Sequence, residues 1–292
     1  MACCGYSDSP ECGCYSGSSY TRVNRLNFKQ KEKKMTNIYM TGANGKIGRY
    51  LAEKGVKPLV CNVTNLDEVD DIVSKEKPNI IVHLAGKTDV DWCEKRENED
   101  QAIYTNFMGT DFVASVAQKY GAKFVLLSSD HVFSGKRWLP WHTYNEKSSP
   151  LPVNFYGLTK LAAEGLRTLY PNFKIVRTSY LFDFERLATE IEKSQPSFIY
   201  RSFMYMPHFI SNFMIYLDKI AEMPDILHIT GNEIVSWYKF MGEYTGNTDF
   251  PHHDKEILNG HAPRPHRAGL TTKYPKLLPQ YSYRDGFAEI KR

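Results

Sequence analysis

Short apolar runs without polar alternation recur through the first half of the chain, and segments with helical spacing separate them. Such runs are typical of parallel strands that are buried on both faces of a sheet, with the helices forming the crossovers. The pattern therefore predicts an α/β fold with a doubly wound parallel sheet. The predicted strands are residues 37–41, 58–63, 79–86, 123–129 and 173–178, and the predicted helices between them are 46–54, 66–75, 98–120 and 159–169.

A glycine-rich segment, Thr41-Gly-Ala-Asn-Gly-Lys-Ile-Gly48, joins the first predicted strand to the first predicted helix. Gly42 permits a tight turn, Gly45 lets backbone N–H groups approach a pyrophosphate, and Gly48 allows close packing of the helix. The N-terminus of the helix then faces the phosphates. The segment predicts a Rossmann-type dinucleotide site, with these cofactor-binding residues: Gly42, Asn44, Gly45, Lys46, Ile47 and Gly48.

The expected cofactor is NADPH or NADH, and the sequence leaves both open. The acidic residue that commonly binds the ribose at the end of the second strand is missing, because only Lys57-Pro-Leu-Val60 stands before Cys61. The second strand and its loop therefore look short. Lys46 or Lys57 beside a 2′-phosphate would weakly favour NADPH.

The strand–helix alternation weakens after Tyr180, where aromatic residues, proline and histidine become more frequent. Helices are predicted there at residues 184–193, 212–222 and 237–244. We expect a dinucleotide-binding domain at residues 36–178 and a smaller, mostly helical substrate-binding lobe at 179–292, with some interleaving of the two. The lobe is expected beside the carboxyl ends of the strands, where open α/β sheets bind ligands.

Residues 1–35 differ in composition from the rest of the chain. Four of the six cysteines fall in the first 14 residues, and a basic run follows at residues 29–34. The cysteines lack the spacing of a structural zinc site, so no metal is expected. A zinc site and acylation of Cys3 or Cys4 are the less favoured alternatives. A disordered extension, or sequence upstream of a start at Met35, is the favoured interpretation.

The net charge is +4, and six basic and three acidic residues in positions 1–34 carry +3 of it. The small remainder gives no support to a nucleic-acid surface. No apolar stretch reaches the length of a membrane span, and no apolar signal core stands at the N-terminus. A cytoplasmic protein without a membrane span is expected.

A serine, a tyrosine and a lysine form the candidate catalytic set. Tyr156 and Lys160 stand four residues apart, so on a helix they share one face, about 6 Å apart along the axis. Ser129 ends a predicted strand. A nearby ammonium would lower the pKa of the Tyr156 phenol, and Ser129 would hydrogen-bond the carbonyl oxygen on which charge develops.

Several separate segments together resemble the extended short-chain dehydrogenases/reductases, and within them the dTDP-4-dehydrorhamnose reductases. Besides the glycine-rich segment, they are Asn106-Phe-Met-Gly-Thr110, Ser128-Ser-Asp-His-Val-Phe-Ser-Gly135, residues 150–164, Arg177-Thr-Ser179 and Arg264-Pro-His-Arg-Ala-Gly-Leu270. The resemblance covers roughly residues 36–292.

The resemblance implies roles for further residues. It implies that Ser129, Tyr156 and Lys160 are catalytic and that Asn106 helps to order the site. The substrate it implies is a nucleotide-diphosphate sugar, with a homodimer as the candidate assembly. Further cofactor contacts are implied for Asn62, Val63, Leu84, Ala85, Gly86, Arg177 and Thr178. The candidate substrate-binding residues are Trp141, His142, Tyr144, Asn145 and Arg264.

The function expected from this resemblance is NAD(P)H-dependent reduction of a 4-keto group on a nucleotide-activated deoxysugar, as in dTDP-rhamnose biosynthesis, with Tyr156 as proton donor. Two alternatives stay open. One is a non-catalytic NAD(P)-binding subunit resembling the β subunit of methionine adenosyltransferase, and the other is an NAD-dependent nucleotide-sugar epimerase. A dehydratase is disfavoured because His131, and not a glutamate, follows Asp130.

Overall fold

The structure, a computed structural model, describes residues 37–136, 143–193, 199–247 and 262–291. The predictions for residues 1–35, Trp141 and His142 lie outside these ranges. Ten strands are described in chain order: β1 (Ile38–Thr41), β2 (Lys57–Pro58), β3 (Ile80–His83), β4 (Lys123–Ser129), β5 (Phe173–Thr178), β6 (Leu181–Phe182), β7 (Tyr200–Ser202), β8 (Met204–Tyr205), β9 (Ile226–His228) and β10 (Ile234–Ser236).

Six of these strands form one parallel sheet in the order β2-β1-β3-β4-β5-β9. Helices flank it on both faces, as a doubly wound sheet requires. The helices are α1 (Lys46–Glu53), α2 (Leu66–Glu76), α3 (Val90–Cys93), α4 (Glu99–Ile103), α5 (Gly109–Lys119), α6 (Phe155–Gly165), α7 (Phe184–Lys193), α8 (Met206–Asp218), α9 (Trp237–Thr245) and α10 (Tyr283–Ile290).

Neighbouring residues of one strand pack into different cores because side chains alternate across a sheet. Met40 packs with Leu51 of α1 and Phe213 of α8 on one face. Tyr39 packs with Val73 of α2 and with residues of α5 on the other face. Burial on both faces explains why these strands are apolar throughout.

The second strand is shorter than predicted for residues 58–63. The Leu59 N–H still donates to the Met40 carbonyl at 2.7 Å, but the chain then turns. The Asn62 side chain holds this turn by accepting from the Thr64 N–H at 3.1 Å. Pro58 is tolerated because β2 is an edge strand, where a missing N–H costs no ladder hydrogen bond.

The predicted helix at residues 98–120 is interrupted. α4 leads into a π-helical turn, Tyr104–Met108, before α5 begins. Two other helices begin earlier than predicted. α6 begins at Phe155 because Asn154 caps it by accepting from the Gly157 N–H at 2.8 Å, and α8 begins at Met206 with Pro207 in its first turn.

The chain after residue 178 is mostly helical, as predicted, but it also returns to the main sheet. β9 pairs with β5, β7 pairs with β10, and β6 pairs with β8. Neither β9 nor α10 was predicted. These segments enclose an aromatic core of Phe182, Phe203, Phe240, Tyr283 and Phe287.

Among the described residues, no helix has both the length and the hydropathy needed to cross a membrane.

Candidate active site

A cleft of about 330 Å³ opens at the carboxyl ends of β1, β3, β4 and β5. We call it the main cleft. Parallel sheets commonly bind ligands at this edge. It brings together these predicted site residues: Gly42, Gly45, Lys46, Ile47, Gly48, Leu84, Gly86, Ser129, Tyr156, Lys160 and Thr178.

The glycine loop forms one wall of the main cleft. Gly42 has a φ of +68°, and a Cβ at this position would lie 2.7 Å from the Ala85 nitrogen. A Cβ on Gly48 would lie 2.5 Å from the Ala43 oxygen, so both positions require glycine. Gly45 precedes α1 and offers no side-chain cap. The first N–H groups of α1 are therefore left to a ligand, as at a phosphate-binding helix terminus.

A buried threonine ties the loop to the end of β3. Thr41 Oγ1 lies 2.8 Å from His83 Nδ1, and it accepts the N–H groups of Leu84 and Ala85 at 3.3 Å each. Burial lowers the pKa of His83 to about 3, and the charge of Lys160 adds to this shift. His83 is therefore neutral near pH 7 and acts as a hydrogen-bonding group.

Asn106 lies in the π-helical turn and organises the next wall. Its Oδ1 accepts the Lys87 N–H at 2.6 Å, and its Nδ2 donates to the Lys87 carbonyl at 3.0 Å. Nδ2 also donates to Thr159 Oγ1 on α6 at 2.9 Å. One buried amide thus joins the segment after β3 to the helix that carries Tyr156 and Lys160. π turns recur at functional sites because they redirect a side chain in this way.

Ser129, Tyr156 and Lys160 all line the main cleft. Ser129 is the last residue of β4, and α6 places Tyr156 and Lys160 one turn apart on its buried face. The Lys160 ammonium has no hydrogen-bond partner among the residues that the structure describes. His131 stands edge-on to the Tyr156 ring, with 5.5 Å between the ring centroids.

The pKa of Tyr156 is raised, which is opposite to the direction that the sequence analysis predicts. Burial is the main cause, the negative charge of Asp130 adds to it, and a hydrogen bond with Ser129 acts in the other direction. Burial also lowers the pKa of Lys160 to about 8, while Glu164 opposes this shift. Near neutral pH the site therefore holds a protonated phenol beside a mostly protonated ammonium.

Two predicted residues have structural partners instead of facing the main cleft. The Arg177 guanidinium pairs with Glu164 at 2.6 Å, and both side chains are almost fully buried. The Tyr144 ring stacks on Phe133, with centroids 4.3 Å apart, and its hydroxyl accepts the Gly135 N–H at 3.1 Å. Only 3% of Tyr144 is exposed, so it packs in the core in this structure.

The remaining predicted residues that the structure describes do not line the main cleft. Asn62 holds the turn after β2, and Val63 is buried against α5. Ala85 packs beneath the loop, and Asn44 is exposed. Arg264 lies in a second cleft, where it pairs with Asp91 at 2.8 Å. The predicted site residues do not include the following residues, which also line the main cleft: Lys87, Thr88, Ser128, Ser179, Arg186 and Met206.

The main cleft has the features that a dinucleotide requires. The absence of a side chain at Gly42 and the uncapped start of α1 suit a pyrophosphate, which can approach the backbone closely there. The Lys160 ammonium suits ribose hydroxyls. The side-chain hydroxyls of Ser128 and Thr178 are buried without a hydrogen-bond partner among the described residues. Such groups are usually satisfied by a ligand or by water. We find no cluster of metal-ligating side chains in the described ranges.

Comparison with known proteins adds independent information. A profile of the family described as RmlD substrate binding domain matches residues 35–193. The spore coat polysaccharide biosynthesis protein SpsK of Bacillus subtilis is 28% identical over 223 residues, which cover 70% of this chain and 77% of that protein. The dTDP-4-dehydrorhamnose reductase of Aggregatibacter actinomycetemcomitans is 29% identical over 235 residues, with the same two coverages.

Solved structures have the same fold. The crystal structure of dTDP-4-dehydrorhamnose reductase from Bacillus anthracis in complex with NADP superposes with a TM-score of 0.76. It is 26% identical and covers 88% of this chain and 99% of that one. The predicted Rossmann-type fold class is therefore confirmed.

Proposed function

This chain belongs to the RmlD substrate binding domain family and is an NAD(P)-dependent oxidoreductase of the short-chain dehydrogenase/reductase type, and we propose that it reduces a 4-keto group on a nucleotide-activated deoxysugar. The observation that carries the proposal is the meeting of Ser129, Tyr156 and Lys160 in one cleft with the glycine loop. The names of the relatives supply the substrate class.

Tyr156 is the proton donor in this proposal. Its raised pKa keeps the phenol protonated, which is the form that reduction of a ketone consumes. Bound NAD(P)H supplies the hydride for the keto carbon. Lys160 holds the cofactor through its ammonium, and its positive charge stabilises the phenolate that remains after the proton has left. Asn106 fixes the segment after β3 relative to α6 through its hydrogen bonds to Lys87 and Thr159.

The second cleft, which we call the basic cleft, is the proposed site of the nucleotide diphosphate. Its volume is about 550 Å³, and Lys136, Arg264 and Arg267 line it. The Arg267 guanidinium lies 4.1 Å from the centre of the Tyr200 ring, which orients it. Clustered guanidinium groups suit phosphate oxygens because they donate two hydrogen bonds at once.

The two clefts are bordered by neighbouring residues at the start of α6. Val153, two residues before the helix, lines the basic cleft, and Tyr156, the second residue of the helix, lines the main cleft. Asn154 between them donates to the Pro263 carbonyl at 2.8 Å and lies 3.0 Å from His131 Nδ1. This arrangement supports a sugar in the main cleft and a diphosphate in the basic cleft. Trp141, predicted to contact the substrate, lies outside the described residues.

The experiment mixes purified protein with NADPH or NADH and with 4-keto-6-deoxyhexoses carried on dTDP or UDP. The proposal expects one cofactor oxidised for each sugar reduced. Binding of cofactor with no turnover across the panel would favour the regulatory-subunit alternative, and sugar conversion without net oxidation would favour an epimerase. Arg267→Gln should raise KM for the nucleotide sugar and leave the Kd for NADPH unchanged.

A further inference from the structure

Arg186 lines the main cleft from α7, and a shared carboxylate holds the start of that helix close to the glycine loop. One oxygen of Asp183 accepts both the Arg186 backbone N–H and the Lys46 ammonium, at 2.9 Å each. Lys46 is the first residue of α1 and directly follows Gly45 of the loop. Asp183 therefore brings the first turn of α7 next to the first turn of α1.

The Arg186 side chain is held by aromatic and carbonyl groups. Its guanidinium carbon lies 3.9 Å from the centre of the Tyr180 ring. Nε donates to the Tyr180 hydroxyl at 2.7 Å, and Nη1 donates to the Leu181 carbonyl at 3.2 Å. Among the described residues, Nη2 has no hydrogen-bond partner and the guanidinium has no carboxylate partner. An oriented positive charge with free donor capacity therefore borders the cleft.

The charged side chains that line the main cleft are all basic in the part of the chain that the structure describes. They are Lys46, Lys87, Lys160 and Arg186. The Lys46 ammonium is paired with Asp183, and the Lys87 ammonium lies 5.1 Å from the centre of the Trp92 ring. Next to the glycine loop, Arg186 is thus the cation whose charge no carboxylate of the described residues balances.

A pyrophosphate needs such a cation. It carries two negative charges, whereas the glycine loop offers it backbone N–H groups and the partial charge of a helix terminus. An anion that enters a cleft loses water and must find charged or hydrogen-bonding partners in exchange. A guanidinium suits phosphate oxygens because it can donate two parallel hydrogen bonds to them.

We propose that Arg186 binds the pyrophosphate of the dinucleotide cofactor, together with the backbone N–H groups of the glycine loop. Arg186 lies in the segment that the sequence analysis assigns to the substrate-binding lobe. The cofactor would then be held by both parts of the chain. Asp183 acts as a positioning residue, because it fixes the helix that carries Arg186. The inference goes beyond the proposed function and does not depend on the sugar.

Titration calorimetry of Arg186→Met with three ligands tests the inference. NADH and NADPH share the pyrophosphate and differ in the 2′-phosphate, whereas ADP-ribose keeps the pyrophosphate and lacks the nicotinamide. The variant should raise the Kd by the same factor for all three ligands, about tenfold or more, because each complex loses a charge-assisted hydrogen bond. This factor should be smaller at high salt than at low salt, because salt screens the charge.

Arg49→Met is the matched control. Arg49 is exposed on α1 and lines a neighbouring cleft with Lys46, but it does not line the main cleft. Loss of its screened charge should change each Kd by less than about twofold. Arg186→Lys keeps the charge without the two parallel hydrogen bonds, so it should raise all three Kd values equally and less than Arg186→Met does. It is the test variant if thermal unfolding shows that Arg186→Met does not fold.

Three results would overturn the inference. A loss of affinity confined to NADPH would assign Arg186 to the 2′-phosphate, and a loss that spares ADP-ribose would assign it to the nicotinamide half. Unchanged Kd values for all three ligands in both Arg186 variants would exclude a contact with the cofactor. None of these measurements needs turnover. A protein that binds cofactor but reduces no keto sugar would therefore contradict the proposed function alone.

Discussion

The Lys46 ammonium lies 2.9 Å from Asp183 Oδ1, so the first residue of α1 is joined to the residue that precedes α7. The same carboxylate accepts the Arg186 backbone N–H at 2.9 Å and the Tyr50 hydroxyl at 3.3 Å. Lys46 and Arg186 both line the main cleft. Asp183 therefore couples the glycine loop to α7 at the edge of the cofactor site.

Asp183→Ala should weaken both the fold and the binding of cofactor. It removes a helix cap, which is worth about 1 kcal/mol, together with the contact to Lys46. Burial would raise the pKa of Asp183, but the hydrogen bonds from Lys46 and the Arg186 N–H hold it below its usual value. The stabilisation is therefore present above the unfolded pKa of about 4 and is lost as the pH falls below it.

Urea unfolding at several pH values measures this effect. The difference in unfolding free energy between the unmodified protein and Asp183→Ala should shrink between neutral and acidic pH. Glu185→Ala is the control, because Glu185 is exposed and lies 3.8 Å from the same ammonium. A difference that is constant with pH would contradict the assignment.

Lys160→Met should raise stability while it abolishes turnover. Burial depresses the pKa of Lys160 from 10.5 to about 8, so the unfolded chain binds more protons than the folded one between these values. Stability therefore rises with pH through that window, and removing the ammonium should add on the order of 3 kcal/mol at neutral pH. Thermal unfolding with and without NADPH measures it. A less stable variant at neutral pH would contradict the burial argument.

Gly42→Ala and Gly55→Ala form a matched pair. Both glycines have a positive φ, so either change should cost about 1 kcal/mol of strain. A Cβ at Gly55 meets nothing within 4 Å, whereas one at Gly42 meets the Ala85 nitrogen at 2.7 Å. We expect only Gly42→Ala to weaken NADPH binding, by about tenfold or more. Equal dissociation constants for the two variants, measured by titration calorimetry, would argue against a cofactor at this loop.

Asn106→Ala should lower both stability and kcat. It leaves the half-buried Lys87 N–H and the buried Thr159 hydroxyl without their amide partner, at a cost of roughly 2 kcal/mol. Thr159→Val removes the second contact and the bond from Thr159 to the Tyr156 carbonyl, but it keeps both Lys87 contacts of Asn106 and should have the smaller effect on both quantities. If Asn106→Ala changed stability but left kcat intact, the amide would have a structural role alone.

The sequence predicts the fold well where local pattern determines it. The predicted bounds of β4, β5 and α7 match the structure, because each is an apolar or periodic run with clear ends. β9 was missed because only three residues pair with β5, too few for a pattern. The π turn that contains Asn106 is not predicted from the sequence. A single extra residue in a helix changes the spacing of its apolar residues too little to be recognised.

The candidate site shows the same division. The glycine loop and the Tyr156–Lys160 pair are local in sequence, so spacing could indicate them. Arg201, which pairs with Asp130, and Arg186, which lines the main cleft, come from segments distant in sequence, so no spacing indicates them. The direction of the Tyr156 pKa shift also required the structure, because burial and the charge of Asp130 both raise this pKa and neither follows from the spacing of Tyr156 and Lys160.

The most direct test compares Tyr156→Phe with Tyr216→Phe in the oxidation of NADPH by a nucleotide-linked 4-keto-6-deoxyhexose. The Tyr216 hydroxyl is buried, is not part of the lining of the main cleft and has no hydrogen-bond partner among the described residues, so its loss should leave kcat unchanged. We predict that Tyr156→Phe binds NADPH with unchanged affinity but shows no detectable oxidation. Turnover of Tyr156→Phe at the rate of the unmodified protein would contradict its assignment as the proton donor.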